Sequence, residues 1–503
     1  MSTDTESAVR LTASDLPDPE DAQNVVYNPS EERLREFSRH LETTTEYGSP
    51  SYVSEYRSRC AQKTRNAVDH DFDAEDYAYF DDAFDAARDD EMVCVDRRVG
   101  AHHEHSYTCR FYVPREYARI ALALNKLLEP ADSDEPDFVT VQIPDADETA
   151  IRVLPDEGIT AVVGSDYTGE AKKSFLRLFM YHVKKAGGLG LHAGSKRVTL
   201  EDDDGTRDVG QLFLGLSATG KSTLTAHGLG LEPPEDATML QDDVCGLLPD
   251  GTVVGSEGRG LYVKTIGLDA DEQPETYAAV THESAVLENV DVGGDSVVDF
   301  DSDEYTTNGR AAILRENLSS AGDEIDLDRV DQVFFITRNP AMPPVARLDP
   351  ERAAAAFMLG ESIETSAGDP DRAGESVRVV GTNPFIVGSE GEEGNRFRDL
   401  VAELDVECYV LNTGCVGDED PTDICVEDSV TILREIARGN VDWRESETGM
   451  TVPATVPGME IDGFAVPENV DDADERLAEL RADRRRYLDG FDDLDDEITD
   501  AVY

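Results

Sequence analysis

Short apolar runs separated by polar turns dominate the chain, and their period shifts between two and 3.6 along it. Residues 92–98, 107–113, Phe138–Ile143 and Ile159–Val163 read as strands. Between them, residues 115–128 set Tyr117, Ile120, Ala121, Leu124, Leu127 and Leu128 at helical spacing. The apolar run Leu212 to Leu214 predicts a buried strand, and a second strand starting at Ala237 ends in Asp242 and Asp243. A helix is expected after Lys173, and another over Ala473–Leu488, where Leu477, Leu480 and Leu488 repeat with helical period. Residues 1–50 are polar and acidic and predict a helix or two on the surface. Strands interleaved with helices predict a mixed α/β fold. No internal repeat is visible.

Composition adds a second constraint. The chain has 503 residues, enough for two or three domains with their own cores. It carries 108 acidic against 45 basic residues, a formal net charge of −63, and the acid is spread over the whole length. Apolar residues still make up 39 %, so the chain folds rather than staying disordered. A folded surface of this kind suits concentrated salt, where self-repulsion is screened, and points to a halophilic setting. It argues against nucleic acid and anionic membranes as partners. Against this background each of the nine lysines, none of which follows Lys264, is informative.

The N-terminus shows no basic start with an apolar run, and no apolar stretch approaches a membrane span, so a cytoplasmic protein is expected. Cys60, Cys94, Cys109, Cys245, Cys408, Cys415 and Cys425 are odd in number and scattered, which indicates free thiols.

The chemistry centres on residues 209–223. Gly215-x-x-x-x-Gly220-Lys221-Ser222 follows an apolar strand and fits the phosphate loop, in which backbone N–H groups cradle an anion at the start of a helix. Lys221 then reaches the outer phosphates and Ser222 holds a divalent cation. A bare glycine turn is the alternative; the order strand, loop, helix favours the phosphate loop. Asp242 and Asp243 end the next strand, where a carboxylate can hold the same cation. Lys172 and Lys173 follow a Gly-Glu turn at a helix start, where ammonium charge opposes the dipole unless an anion or a depressed pKa is wanted. Arg57, Arg59, Lys63 and Arg65 form a basic cluster that either binds an anionic substrate or forms salt bridges. His102-His103-Glu104-His105 lies in an expected turn without a helical ligand pair and reads as solvated rather than metal-binding.

Taken together, these motifs resemble the ATP-dependent phosphoenolpyruvate carboxykinases. Tyr167-Thr-Gly-Glu-Ala-Lys172-Lys173 matches that family's Tyr-x-Gly-Glu-x-Lys-Lys, and Leu191-His192 its Met-His. Gly215 to Leu224 and Gln241-Asp242-Asp243 match Gly-Leu-Ser-Gly-Thr-Gly-Lys-Thr-Thr-Leu and Gly-Asp-Asp. Glu257 to Ile266, Leu287-Glu-Asn-Val, Thr306-Thr-Asn308-Gly-Arg310, Pro343 to Leu348 and Leu411 to Gly414 follow in order. The match runs from about residue 90 to about 435, and its stretch 167–310 is the specific part.

The resemblance implies that oxaloacetate is decarboxylated and the enolate phosphorylated by ATP, with manganese and magnesium as cofactors. It assigns Lys173, His192 and Asp243 to manganese, and Ser222, with Asp242 nearby, to magnesium. Residues Gly215, Leu216, Ser217, Ala218, Thr219, Gly220, Lys221, Ser222 and Thr223 would hold the nucleotide, with Gln273 and Ser429 at further nucleotide positions. Lys264 and Lys221 would neutralise the transferring phosphoryl group. Arg310 would meet substrate and terminal phosphate, Tyr167 the carboxylate or carbon dioxide, and Arg57 the substrate.

Several positions depart from the family. Ala218 replaces a glycine, tolerable only at negative φ. Ala193 replaces the cysteine after the histidine, Gln273 a glutamate and Asp423 an arginine beside the nucleotide. The donor nucleotide is therefore open. The expectation is a two-domain fold with a substrate-side domain over 1–190, a phosphate-loop domain over 191–440 that also carries Arg310, an active-site cleft where they meet, and an acidic extension over 441–503 that packs on the domain or forms a tail. A monomer or small oligomer is expected. A P-loop kinase and a non-catalytic nucleotide-binding paralogue are the other classes of function.

Overall fold

The computed structural model describes residues 11–55, 61–203, 205–216, 219–363, 376–417 and 421–503. The chain forms two compact units, each discontinuous in sequence. Unit 1 comprises residues 1–99, 106–178 and 259–317, and unit 2 residues 100–105, 179–258 and 318–503. The class is mixed α/β, as the interleaved periods predict.

Unit 1 holds an eight-stranded mixed sheet. Its centre is built from Met92–Val99, Tyr107–Pro114, Phe138–Ile143, Ile159–Val163 and Ala150–Leu154. The helix Ala74–Asp89 covers one face with Phe80, Ala83, Phe84 and Ala87, all essentially inaccessible to solvent. Asp73 caps that helix by accepting from the N–H groups of Glu75 and Asp76. A second, five-stranded sheet joins Gly260–Lys264, Arg310–Leu314, Val286–Glu288, Pro50–Tyr52 and Thr43–Thr44. The helix Ala118–Leu127 packs against strands of both sheets and is buried at every position. A helix apolar nearly all round has no solvent face to offer.

Unit 2 is organised on another eight-stranded sheet. Its core runs Ala193–Asp202, Gly205–Gly215, Gln332–Thr337, Glu407–Asn412 and Val345–Leu348, with the second, third and fourth of these parallel. Phe213, Phe334 and Tyr409 stack across neighbouring strands at centroid separations of 5.5 and 5.1 Å, and Trp443 stacks on Tyr409 at 5.5 Å. The helices Pro350–Leu359 and Glu390–Glu403 bury one face of the sheet and Val426–Arg438 the other. Among the described residues, no helix is long and apolar enough to cross a membrane.

Three expectations are corrected. Residues 259–317, with Lys264, Gln273 and Arg310, belong to unit 1 and not to the phosphate-loop unit, because their strands extend the sheet begun by Pro50–Tyr52. The N-terminal residues are not merely surface helices: Val25–Tyr27 pairs with Met92–Val99, and Leu34 is fully buried. Residues 441–503 are part of unit 2 rather than a separate extension. Asp442–Glu445 and Thr451–Thr455 complete its main sheet, and Leu488, Ile498 and Tyr503 enter its core.

Candidate active site

In unit 2 the expected phosphate loop leaves the strand Gly205–Gly215 and enters the helix Lys221–Ala226. Ser217 and Ala218 lie outside the described residues. Thr219 is buried, and its hydroxyl donates to the Leu216 carbonyl at 2.8 Å. The Thr413 hydroxyl donates to the Thr219 carbonyl at 2.7 Å, so the loop 413–414 braces it. Gly220 has φ +96°, a conformation that side chains strongly disfavour, and it turns the chain into the helix. Ser222 and Thr223 are exposed in the first turn. Ser429, at a nucleotide position by the resemblance, is buried in the helix Val426–Arg438.

His192 sits between the strands Leu189–Leu191 and Ala193–Asp202. Its Nδ1 lies 2.7 Å from the Thr382 carbonyl, so Nδ1 carries the hydrogen and Nε2 is left as the electron-pair donor. Nε2 is 2.9 Å from Oδ1 of Asp243 and 3.5 Å from Nζ of Lys221. Thr382 itself has φ +52°, which costs a β-branched residue about 1–3 kcal/mol. That strained turn presents the carbonyl to the imidazole.

The donor set of His192 and Asp243 fits a divalent cation. Two ligands of one ion at about 2.1 Å and at right angles stand about 3.0 Å apart, and the observed pair is 2.9 Å apart. An imidazole and a carboxylate suit a divalent metal ion, and the Nδ1 contact is the support that ligating histidines typically have. Asp242, beside Asp243, follows the strand Asp236–Gln241 as expected.

Unit 1 gathers the other predicted residues. Lys264 and Arg310 are direct cross-strand partners, and Glu288 is the partner of Arg310 on its other side. Two cations facing each other across a ladder repel, an arrangement that favours an anion between or above them. The Asn308 amide donates to the Tyr167 hydroxyl at 3.1 Å, and its Oδ1 accepts from Arg310 at 2.9 Å. Burial raises the Tyr167 pKa, which keeps the phenol protonated as a donor.

The sequence reading missed the group that holds these side chains. Glu288, nearly inaccessible, accepts from Arg119 at 2.9 Å, from the Thr168 N–H at 3.2 Å and from the Tyr262 hydroxyl. Arg119 also binds the Asp166 carboxylate at 2.8 Å. The ring of Tyr262 faces two cations: Lys172 Nζ and Arg310 Cζ are each 5.7 Å from its centroid. The signal was present in Leu287-Glu-Asn-Val, which matched the family without a role.

Lys173 lies on the first turns of the helix Thr168–Lys185, in the portion up to Leu178 that belongs to unit 1, whereas His192 and Asp243 belong to unit 2. Gln273 precedes the helix Pro274–Val280 in unit 1, at its N-cap position, and its side chain makes no capping hydrogen bond. Arg57 and Arg59 lie outside the described residues. Glu55 donates its N–H to the Asp166 carboxylate at 2.9 Å. Arg65, from the same basic cluster, is a structural cation paired with Asp76 at 2.9 Å.

The chain matches the family model described as phosphoenolpyruvate carboxykinase over residues 23–462. It is 35 % identical to the phosphoenolpyruvate carboxykinase (ATP) of Aeropyrum pernix, over 92 % of this chain and 94 % of that protein. It is 30 % identical to the protein of the same name from Chelativorans sp., over 78 % and 74 % respectively. The corresponding protein of Mesorhizobium japonicum is 29 % identical over 76 % and 72 %.

Proposed function

The chain belongs to the phosphoenolpyruvate carboxykinase family, and from that premise we propose that it decarboxylates oxaloacetate and passes the terminal phosphate of ATP to the resulting enolate. The bond between the carboxylate carbon and its neighbour breaks, leaving its electron pair in the enolate. The enolate oxygen then attacks the terminal phosphorus, and the bond to the bridging oxygen breaks to release ADP. The products are phosphoenolpyruvate, ADP and carbon dioxide.

Each unit supplies its own part of this chemistry. In unit 2 the loop 215–223 holds the triphosphate through backbone N–H groups, and Lys221 neutralises its outer phosphates. His192, held by Thr382, and Asp243 would hold the manganese ion; on the resemblance, Lys173 would join them as the neutral amine. When bound, a divalent cation there supplies Lewis-acid stabilisation of the enolate charge. Ser222, with Asp242 nearby, would hold the magnesium that accompanies the nucleotide. In unit 1, Tyr167 hydrogen-bonds the departing carboxylate, and Arg310 and Lys264 offset charge on the transferring group. Arg57 is the proposed substrate arginine. A cytoplasmic setting with free thiols belongs to the same reading.

One observation carries the proposal. A P-loop kinase needs the loop and an aspartate; it has no use for an imidazole held 2.9 Å from that aspartate and 3.5 Å from the loop lysine. The test is a coupled assay in concentrated KCl with manganese and magnesium, following phosphoenolpyruvate formation from oxaloacetate. ATP, GTP and pyrophosphate are compared as donors, for the wild type and His192→Ala. Turnover with ATP that is lost in the variant supports the reading. Folded protein with no turnover on any donor overturns it.

A further inference from the structure

Arg338 has no role in the chemistry above, yet it stands at the nucleotide end of unit 2. It follows the strand Gln332–Thr337, whose two parallel neighbours end at Gly215 and Asn412. Ligands of parallel sheets bind outside these carboxyl ends. Thr337 accepts the Thr413 N–H at 3.0 Å, and the Thr413 hydroxyl donates to Thr219 of the phosphate loop at 2.7 Å. Arg338 is therefore one residue away from the brace that holds the loop.

Its packing and its charge point the same way. A Cβ placed on Gly414 would come within 3.3 Å of the Arg338 Cβ, so glycine lets the arginine lie against this loop. The Arg338 Nε is buried and donates to no group among the described residues. Its side chain forms no ion pair with a described residue, in a chain with 108 carboxylates available. A half-buried guanidinium with no ion pair among the described residues suits an anion that comes from outside.

The neighbouring aspartate sharpens the argument. Asp423 is the cross-strand partner of Cys415, and the Gly414 carbonyl accepts the Ile424 N–H at 2.9 Å. Position 423, where the family places a cation, and position 338 thus adjoin the same glycine. Asp423 is exposed and acidic; Arg338 is half-buried and basic.

We propose that Arg338 is a nucleotide-binding residue, its guanidinium contacting the phosphate chain and supplying the charge that Asp423 does not. This deepens the nucleotide site of the function proposed above and rests on that reading. The test is equilibrium binding of ADP and of adenosine to the full chain in concentrated KCl, for wild type, Arg338→Gln, Arg338→Lys and Arg338→Gln/Asp423→Arg. Thermal melts establish that each is folded.

Arg338→Gln is expected to lose about tenfold or more in ADP affinity, with adenosine affinity and the KM for oxaloacetate unchanged. Arg338→Lys should recover part of the loss, and so should the double variant. ADP affinity equal to wild type in Arg338→Gln overturns the proposal. An equal loss for adenosine also overturns it, since the contact would then be to base or ribose. Wild type that makes no phosphoenolpyruvate, with ADP binding still dependent on Arg338, defeats the carboxykinase reading alone. Normal turnover with an Arg338→Gln that binds ADP as wild type does defeats only this inference.

Discussion

Oδ1 of Asp243 stands 2.9 Å from Nε2 of His192, whose opposite nitrogen is held by the Thr382 carbonyl at 2.7 Å. The tautomer that this carbonyl enforces leaves two electron-pair donors facing each other at 2.9 Å. They repel unless a proton or a cation lies between them. Asp243→Asn keeps the shape and removes the anion. Manganese binding, followed by the loss of the free-ion EPR signal, should weaken about tenfold to a hundredfold. The far-ultraviolet spectrum should stay unchanged. Unaltered manganese affinity would remove the pair from the metal site.

Glu288 and Arg119 are a buried pair, exposed by about 3 % and 2 %. Removing Glu288 leaves Arg119 with Asp166 alone and breaks a buried, charge-assisted hydrogen bond, at a cost of about 1.5–3 kcal/mol. Glu288→Gln should therefore lower the urea midpoint, and Arg119→Met, which deprives both Glu288 and Asp166 of their cation, should lower it further. Because Glu288 also fixes Tyr262 and the start of the lysine-bearing helix, the Glu288→Gln variant should lose kcat as well. A urea midpoint equal to wild type in Glu288→Gln would contradict the pairing.

Lys196 is fully buried and donates to the carbonyls of Leu224 and His227, capping the phosphate-loop helix at its C-terminal end. Burial lowers its pKa to about 7 from 10.5. The unfolded chain therefore binds more protons than the folded one between about pH 7 and 10.5, and this group's contribution to stability rises with pH across that window. Below about pH 7 the full cost of burying the charge remains. Thermal melts of wild type against Lys196→Met should show a difference that shifts in favour of wild type from pH 7 to 9. A difference independent of pH would mean that Lys196 is charged throughout.

The net charge of −63 sets the solution behaviour. Screening lengths fall from about 10 Å at 0.1 M salt to about 3 Å at 1 M. The melting temperature should rise steadily over that range in KCl, and a flat profile would show that the acid is compensated locally.

Much of the site was legible because it is local in sequence. The strand ending at Gly215, the helix from Lys221 and the aspartates after Gln241 follow from short apolar runs and one loop motif. Unit boundaries were not legible, because Gly260–Lys264 and Val286–Glu288 join a sheet begun more than 200 residues earlier. The supports were hidden for the same reason. Arg119 and Glu288 are 169 residues apart, and Thr382 is 190 residues from His192. The C-terminal helix left two readings open, packed on the domain or a tail, because only Leu477, Leu480 and Leu488 mark a face to bury. Its anchor is Arg484, buried against Glu361, a pairing that no local pattern reveals.

The central claim is that decarboxylation and phosphoryl transfer are one coupled event. The most direct measurement incubates the protein with 4-13C-labelled oxaloacetate, ATP, manganese and magnesium in concentrated KCl. Carbon-13 and phosphorus-31 spectra then count labelled carbon dioxide, phosphoenolpyruvate and ADP together. Equal amounts of all three, each abolished in Asp243→Asn, are the predicted result. ADP released without carbon dioxide, its phosphate carried to another acceptor, would contradict the account and make the protein a kinase.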